Sequence, residues 1–151
     1  MITVPARQVF YNFCMTSNSQ PTILITDDNY INRFVIKQIL KEFSFITEEA
    51  WNGDQAMKII HRIGKDKPII HLLDLNMPVM DGYQVIKLMR DNPLKYTNVQ
   101  TIVISATMYD EFKLSGLDAY VNSYLLKPLL KIELIEKIKL ITSNFLQGPS
   151  N

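Results

Sequence analysis

Five short apolar runs alternate with five stretches in which apolar residues recur at helical spacing. Thr22-Ile23-Leu24-Ile25-Thr26 is rich in β-branched residues and predicts a buried strand. Ile31, Val35, Ile36, Ile39, Leu40 and Phe43 then follow the three-and-four spacing of an amphipathic helix, with Asp28 or Asn29 placed to cap it. Residues 44–50 predict a second strand, and their charges put it at a sheet edge. Asn52-Gly53 reads as a turn, after which Ala56, Met57, Ile59, Ile60 and Ile63 line a helix ending near Gly64. Ile69-Ile70-His71-Leu72-Leu73 is a third strand, and it stops on an acid, Asp74. Beyond the Asp81-Gly82 turn, Val85, Ile86 and Met89 mark a helix stopped by Asn92-Pro93. Thr101-Ile102-Val103-Ile104-Ser105 is a fourth strand. Residues 109–119 are a weaker helix, because Gly116 inside it costs about 1 kcal/mol relative to alanine. Residues 121–126 form a fifth strand running into Lys127-Pro128. The last helix spans residues 130–145, with Leu134, Ile135, Ile138, Ile141 and Phe145 facing inward.

Strand and helix alternating five times imply an α/β fold with a parallel sheet covered on both faces and right-handed crossovers. Five strands suit a flavodoxin-like doubly wound sheet of order 2-1-3-4-5. The domain spans residues 21–146, after a loosely ordered leader or linker over 1–20 and before a tail at 147–151.

Composition narrows the function without naming it. The chain has 151 residues, the size of one domain. Its 16 basic and 15 acidic residues leave a net charge of +1, which gives no electrostatic footprint for nucleic acid or an anionic membrane. No apolar run approaches the roughly 20 residues of a membrane span. A single cysteine, Cys14, rules out an intramolecular disulfide and fits a reducing compartment, the cytoplasm.

Four strands end in functional groups: Asp27-Asp28, Asp74, Ser105 and Lys127. A parallel sheet brings these ends to one edge, where such folds place their chemistry. Three carboxylates so close repel one another unless a cation joins them. A hard divalent ion such as Mg²⁺, held by a few carboxylates and completed by water and phosphate, answers that need. With a lysine for a phosphoryl oxygen and a hydroxyl for another, the set describes phosphoryl transfer onto a carboxylate. Asp74 is the expected acceptor.

Thr26-Asp27-Asp28-Asn29, the run from Leu73 to Gly82, Ser105-Ala106-Thr107 and Leu126-Lys127-Pro128 resemble the receiver (response-regulator) domain of two-component phosphorelays, most closely receivers of hybrid histidine kinases. Asn32-Arg33, Asn52-Gly53 and Gln55-Ala56 strengthen the likeness, which covers residues 21–145. The resemblance implies that Asp74 accepts phosphoryl from a phosphohistidine on a histidine kinase or phosphotransfer protein. It implies Mg²⁺ on Asp27 or Asp28 (Asp28 favoured as the direct ligand), Asp74 and the backbone carbonyl of Asn76. It assigns Lys127, ahead of a cis Lys127-Pro128 bond, to the phosphoryl group and Ser105 to reporting its presence. Tyr124 takes the place of an aromatic switch, and Asn76 and Thr107 the places that tune phosphoryl lifetime. It further implies a signalling domain rather than an enzyme, with phosphorylation changing the surface of helix 4, strand 5 and helix 5, through which a homodimer could form. The domain would stand alone or belong to a longer chain such as a hybrid kinase.

Some residues depart from the pattern. Ser105 stands where threonine is commoner, Tyr120 and Val121 replace a small pair before the fifth strand, and Trp51 is bulky beside Asn52-Gly53. Two rival readings share part of the site. A Mg²⁺-dependent aspartyl phosphatase of the haloacid dehalogenase type also uses a strand-end aspartate and a lysine, but resembles DxD rather than Asp-Asp and carries a cap. A degenerate receiver would serve only as an interaction scaffold, against which the intact site residues argue. Taken singly, Asp81 is a turn residue, His61 and His71 are structural, and Met77, Met80 and Met89 fill loop and core.

Overall fold

The computed structural model describes residues 20–147. The expected leader and tail, apart from Gln20 and Gln147, lie outside the described residues. Five parallel strands are ordered β2-β1-β3-β4-β5. They are β1 (Thr22–Thr26), β2 (Ile46–Ala50), β3 (Ile69–Leu73), β4 (Val99–Ser105) and β5 (Ser123–Leu126). Between and after them run α1 (Tyr30–Lys41), α2 (Gly53–Ile63), α3 (Gly82–Asp91), the short α4 (Tyr109–Lys113) and α5 (Lys131–Gln147).

Side-chain alternation along the strands splits the core into two layers. Ile23 and Ile25 of β1, Ile70 and Leu72 of β3, and Ile102 and Ile104 of β4 pack with Ile36 and Leu40 of α1 and Leu134, Ile138 and Ile141 of α5. Leu24, Ile69, Leu73 and Val103 face the other way, against Ala56 and Ile60 of α2, Val85 and Ile86 of α3, and Phe112 of α4. Each fully buried Leu or Ile contributes roughly 1.5–3 kcal/mol of transfer free energy. Burial on both faces explains why β1 and β3 read as unbroken apolar runs rather than alternating ones.

Helix starts follow local capping chemistry. Asn29 caps α1, its side chain accepting from the amides of Ile31 and Asn32. Asp81 is more than a turn residue: it caps α3 in a reciprocal box with Gln84. Asn52-Gly53 is not a free turn, because Asn52 caps α2 and Gly53 is its first residue.

The weak fourth helix stops early. Ser115 donates its hydroxyl to the Phe112 carbonyl and accepts from the Leu117 amide, and Gly116 follows at φ +71, so the chain leaves the helix at Lys113. A 3₁₀ turn at Asp118–Tyr120 replaces the rest. β5 begins two residues later than its apolar pattern suggests. Asn122 exchanges bonds with Thr101 through its amide and side-chain oxygen, taking the first pairing position beside β4. β2 likewise starts only at Ile46, since Ser44 sits in a left-handed turn at φ 58.

Candidate functional site

Register alone brings the four strand-end groups together. Thr26 lies opposite Leu73, and the Asp74 amide donates to the Thr26 carbonyl at 2.9 Å, so Asp27 and Asp74 leave neighbouring strands side by side. On the other flank the Lys127 amide donates to the Ser105 carbonyl at 2.9 Å, across the cis Lys127-Pro128 junction.

The two buried acids differ in how they are satisfied. Asp27 is almost fully enclosed, and its carboxylate accepts from the Asn29 amide at 2.8 Å, the Asn32 Nδ2 at 3.1 and 3.3 Å, and Lys127 Nζ at 2.8 Å. Asp74 is 7% exposed and meets Lys127 Nζ at 3.3 Å. Asp28 is exposed, and its carboxylate takes no hydrogen bond among the described residues. One carboxylate oxygen from each of Asp27, Asp28 and Asp74 lies within 4.8 Å of the others.

Burial and charge leave this cluster short of positive charge. Burial raises the Asp74 carboxyl above its ordinary range; Lys127 pulls it back, and the charge of Asp27 adds to the rise. Lys127 is drawn down by burial, but its hydrogen bond to Asp27 and the charges of both acids outweigh that and hold its ammonium above the usual lysine value. One lysine thus faces three carboxylates. Oxygen donors, excess negative charge and one exposed acid without a partner fit a small hard divalent cation.

Arg33 shapes the acidic loop from behind. Its Nη1 donates to the carbonyls of Asp27 at 2.7 Å and Asp28 at 3.3 Å. Its Nε lies 3.5 Å from Glu49 Oε1, near enough for a charge contact though not aligned as a hydrogen bond. Asn32 and Arg33 stand one helical turn beyond the acids, and that spacing is the signal that marks them as supports.

On the opposite side, Ser105 is fully buried and its Oγ accepts from the Thr107 amide at 3.2 Å. Tyr124 is half-buried and donates its hydroxyl to the Thr107 carbonyl. Burial raises the phenol of Tyr124, the neighbouring Ser105 hydroxyl opposes the rise, and nearby Tyr83, Glu111 and Asp74 add to it. Asn76 Nδ2 donates to Thr107 Oγ1 at 3.1 Å.

Gly82 presses the loop after β3 against the acceptor: a Cβ there would stand 2.3 Å from the Asp74 carbonyl oxygen. The Gly82 amide donates to the Leu75 carbonyl at 2.9 Å, and Val79 takes a left-handed φ of 71. The two histidines lie elsewhere. His71 bonds through Nε2 to Thr26 Oγ1 at 2.8 Å inside the core, and His61 pairs with the Tyr96 hydroxyl at 3.0 Å.

Asp27, Asp28, Asp74 and Lys127 meet at this edge, Ser105 ends the neighbouring strand, and Asn76, Thr107 and Tyr124 are joined to one another by hydrogen bonds beside it. Comparisons with known proteins point the same way. Residues 23–139 match the model of the response regulator receiver domain. The chain is 33% identical over 116 residues to the two-component response regulator ARR22 of Arabidopsis thaliana, covering 77% of this chain and 80% of that one. It is 29% identical over 119 residues to hybrid signal transduction histidine kinase L of Dictyostelium discoideum, 78% of this chain but 7% of that protein. The structure superposes with TM-score 0.67 and 26% identity on the response regulator TrrA of Thermotoga maritima in complex with Mg²⁺-BeF, covering 80% of this chain and 98% of that one.

Proposed function

The chain belongs to the response regulator receiver domain family, and on that premise we propose that Asp74 is its phosphoacceptor and the three-acid cluster its Mg²⁺ site. The single observation that carries this reading is the convergence of Asp27, Asp28, Asp74 and Lys127 at one sheet edge. An Asp74 carboxylate oxygen forms the new O–P bond as the P–N bond of a phosphohistidine breaks, and the bonding pair leaves on the imidazole nitrogen. Lys127, already between Asp27 and Asp74, pairs with a phosphoryl oxygen. Asp28, Asp27, Asp74 and the Asn76 carbonyl would hold Mg²⁺, which would supply charge neutralisation on the transferring group.

Ser105 is the reporter of this reading. Its hydroxyl, which accepts from the Thr107 amide in this state, turns to the phosphoryl oxygen, and the Thr107 segment that holds the Tyr124 hydroxyl moves with it. The surface of α4, β5 and α5 then shifts population between two arrangements. The partners are a histidine kinase or a histidine phosphotransfer protein, and a second copy of the chain meeting through α4, β5 and α5. No nucleic acid is called for, and the domain turns over no substrate of its own. The setting is the cytoplasm, and the folded unit is 21–146, with 1–20 a linker and 147–151 a tail. No helix of the described residues is long and apolar enough to cross a membrane.

Incubation with Mg²⁺ and phosphoramidate, which offers a P–N bond, tests the reading. The wild-type chain should gain one phosphoryl mass that hydroxylamine removes, and Asp74→Asn should gain none. Equal labelling of the two proteins overturns the assignment. Continuous release of phosphate from phosphomonoesters would favour the aspartyl phosphatase instead.

A further inference from the structure

The β1–α1 loop is held from two sides. In front, the Asp27 carboxylate accepts from the Asn29 amide, from Asn32 Nδ2 and from Lys127 Nζ. Behind, the carbonyls of the acidic pair accept from one guanidinium nitrogen, Arg33 Nη1, at 2.7 Å for Asp27 and 3.3 Å for Asp28. The two acids depend on Arg33 to different degrees. Asp27 keeps its carboxylate bonds without it. The Asp28 side chain has no hydrogen bond or ion pair among the described residues, so its place within 4.8 Å of the other two acids is set by its backbone. That backbone is tied back through the Asp28 carbonyl to Arg33.

Arg33 is itself braced. It stands in the first turn of α1, and its side chain is 11% exposed. Its Nε lies 3.5 Å from Glu49 Oε1 on β2, and the other oxygen of Glu49 takes Lys37 Nζ at 2.6 Å. Its guanidinium also lies over the Tyr30 ring, 5.8 Å from the centroid. A planar cation held in this way is already oriented when it bonds the two carbonyls. Charge and geometry pull in opposite directions here. A guanidinium behind three carboxylates opposes a bound dication by charge alone. It favours the dication only by keeping Asp28 where an oxygen donor is needed.

From this arrangement we infer that Arg33, braced by Glu49, is a positioning residue for Asp28: it fixes the backbone from which that carboxylate reaches a divalent cation shared with Asp27 and Asp74. The inference rests on the three acids being the Mg²⁺ site. Without Arg33, the loop spends part of its time with Asp28 turned away. The apparent affinity for the cation then falls with the fraction of chains that remain competent.

Calorimetric titration with MgCl₂ alone tests this, on variants whose folding is checked by urea denaturation. Arg33→Lys keeps the charge but replaces the planar fork with a point charge, and Arg33→Met removes both. Each should weaken Mg²⁺ binding on the order of tenfold, the scale of one hydrogen bond to a charged group. Glu49→Gln, at a partly exposed position, leaves Arg33 in the chain without its brace and should weaken binding by about threefold. It carries the same test should the Arg33 variants fail to fold. In an Asp28→Asn background all three substitutions should lose most of their effect, because the carboxylate they position is gone. Unchanged binding in Arg33→Lys or Glu49→Gln overturns the inference, and so does tighter binding in Arg33→Met, which charge alone predicts. Losses that simply multiply with that of Asp28→Asn overturn it too. Each of these outcomes leaves the metal site standing. Absence of Mg²⁺ binding to the wild type overturns the site and the inference together.

Discussion

Lys127 Nζ stands 2.8 Å from Asp27 Oδ2 and 3.3 Å from Asp74 Oδ2, so the lysine leans on the metal-loop acid rather than on the acceptor. That preference leaves Asp74 the less neutralised of two adjacent buried carboxylates, and its raised carboxyl follows from burial together with that imbalance. The lysine is the internal counter-charge that lets both acids share one edge.

Lys127→Met should therefore cost stability as well as phosphorylation. Removing one partner of a buried, hydrogen-bonded charge cluster leaves the others uncompensated, which costs on the order of 1–3 kcal/mol for a lysine that keeps some contact with water. Urea denaturation should show the loss at neutral pH. In an Asp27→Asn background the same substitution should cost clearly less, because one of the carboxylates it strands is gone. Equal losses in the two backgrounds would show that the Lys127–Asp27 contact carries no energy.

Asp74→Asn makes the opposite prediction for the metal-free protein. A carboxyl raised in the folded state binds protons more tightly there than in the unfolded chain. Its contribution is then favourable at low pH and is lost as pH rises through the folded value. Above the ordinary carboxylate range, ionised Asp74 strains the fold, so Asp74→Asn should raise the melting temperature at pH 7 and lose that advantage below about pH 4. Added Mg²⁺ should stabilise the wild type and close the gap at pH 7. A lower melting temperature for Asp74→Asn at pH 7 without metal would contradict the argument.

The two acids after β1 should separate in their effects. Asp27 is already engaged by Asn29, Asn32 and Lys127, whereas the exposed Asp28 carboxylate has no hydrogen-bond partner among the described residues. Asp28→Asn should weaken Mg²⁺ binding by about tenfold or more, the scale of one lost charge interaction, with little change in urea stability. Asp27→Asn should weaken both, because its buried acceptors organise the loop. Calorimetric titration with MgCl₂ alone reads the first effect, and urea denaturation the second. Unchanged Mg²⁺ affinity in Asp28→Asn would remove it from the metal site.

These contrasts show where the sequence was legible and where it was not. β3 could be placed almost to the residue, because Ile69 to Leu73 are buried on both faces and only an apolar run survives that environment. Asp74, Ser105 and Lys127 could be grouped because parallel strands present like ends at one edge. The supports were harder to find. The Asn32-Arg33 pair could be singled out by its spacing from the acids, but that Arg33 grips the backbone carbonyls of Asp27 and Asp28 could not be read from it. The early stop of α4 depended on one hydroxyl, that of Ser115, competing with the helix for the Phe112 carbonyl. Gly82 looked like an ordinary turn glycine, and the reason only glycine fits, the carbonyl of Asp74, lies eight residues back.

His71 should set the acid limit of the fold. It lies within β3, fully buried; its Nε2 pairs with Thr26, and its Nδ1 has no partner among the described residues. Burial pushes its imidazole down to about 3, so it stays neutral in the folded chain while the unfolded chain takes up a proton near the ordinary value. Between about pH 6.5 and pH 3 the unfolded state binds the extra proton, and stability falls with falling pH across that window. A difference of that size amounts to roughly 5 kcal/mol by pH 3, comparable to the whole stability of a small domain. His71→Leu removes the proton uptake and the orphaned Nδ1 together, and leaves only the Thr26 hydroxyl without its partner. The substitution should flatten the fall in urea stability between pH 6.5 and pH 4 while changing stability at pH 7.5 by far less. A pH dependence identical to wild type would mean that acid unfolding is governed by the carboxylates and not by this buried ring.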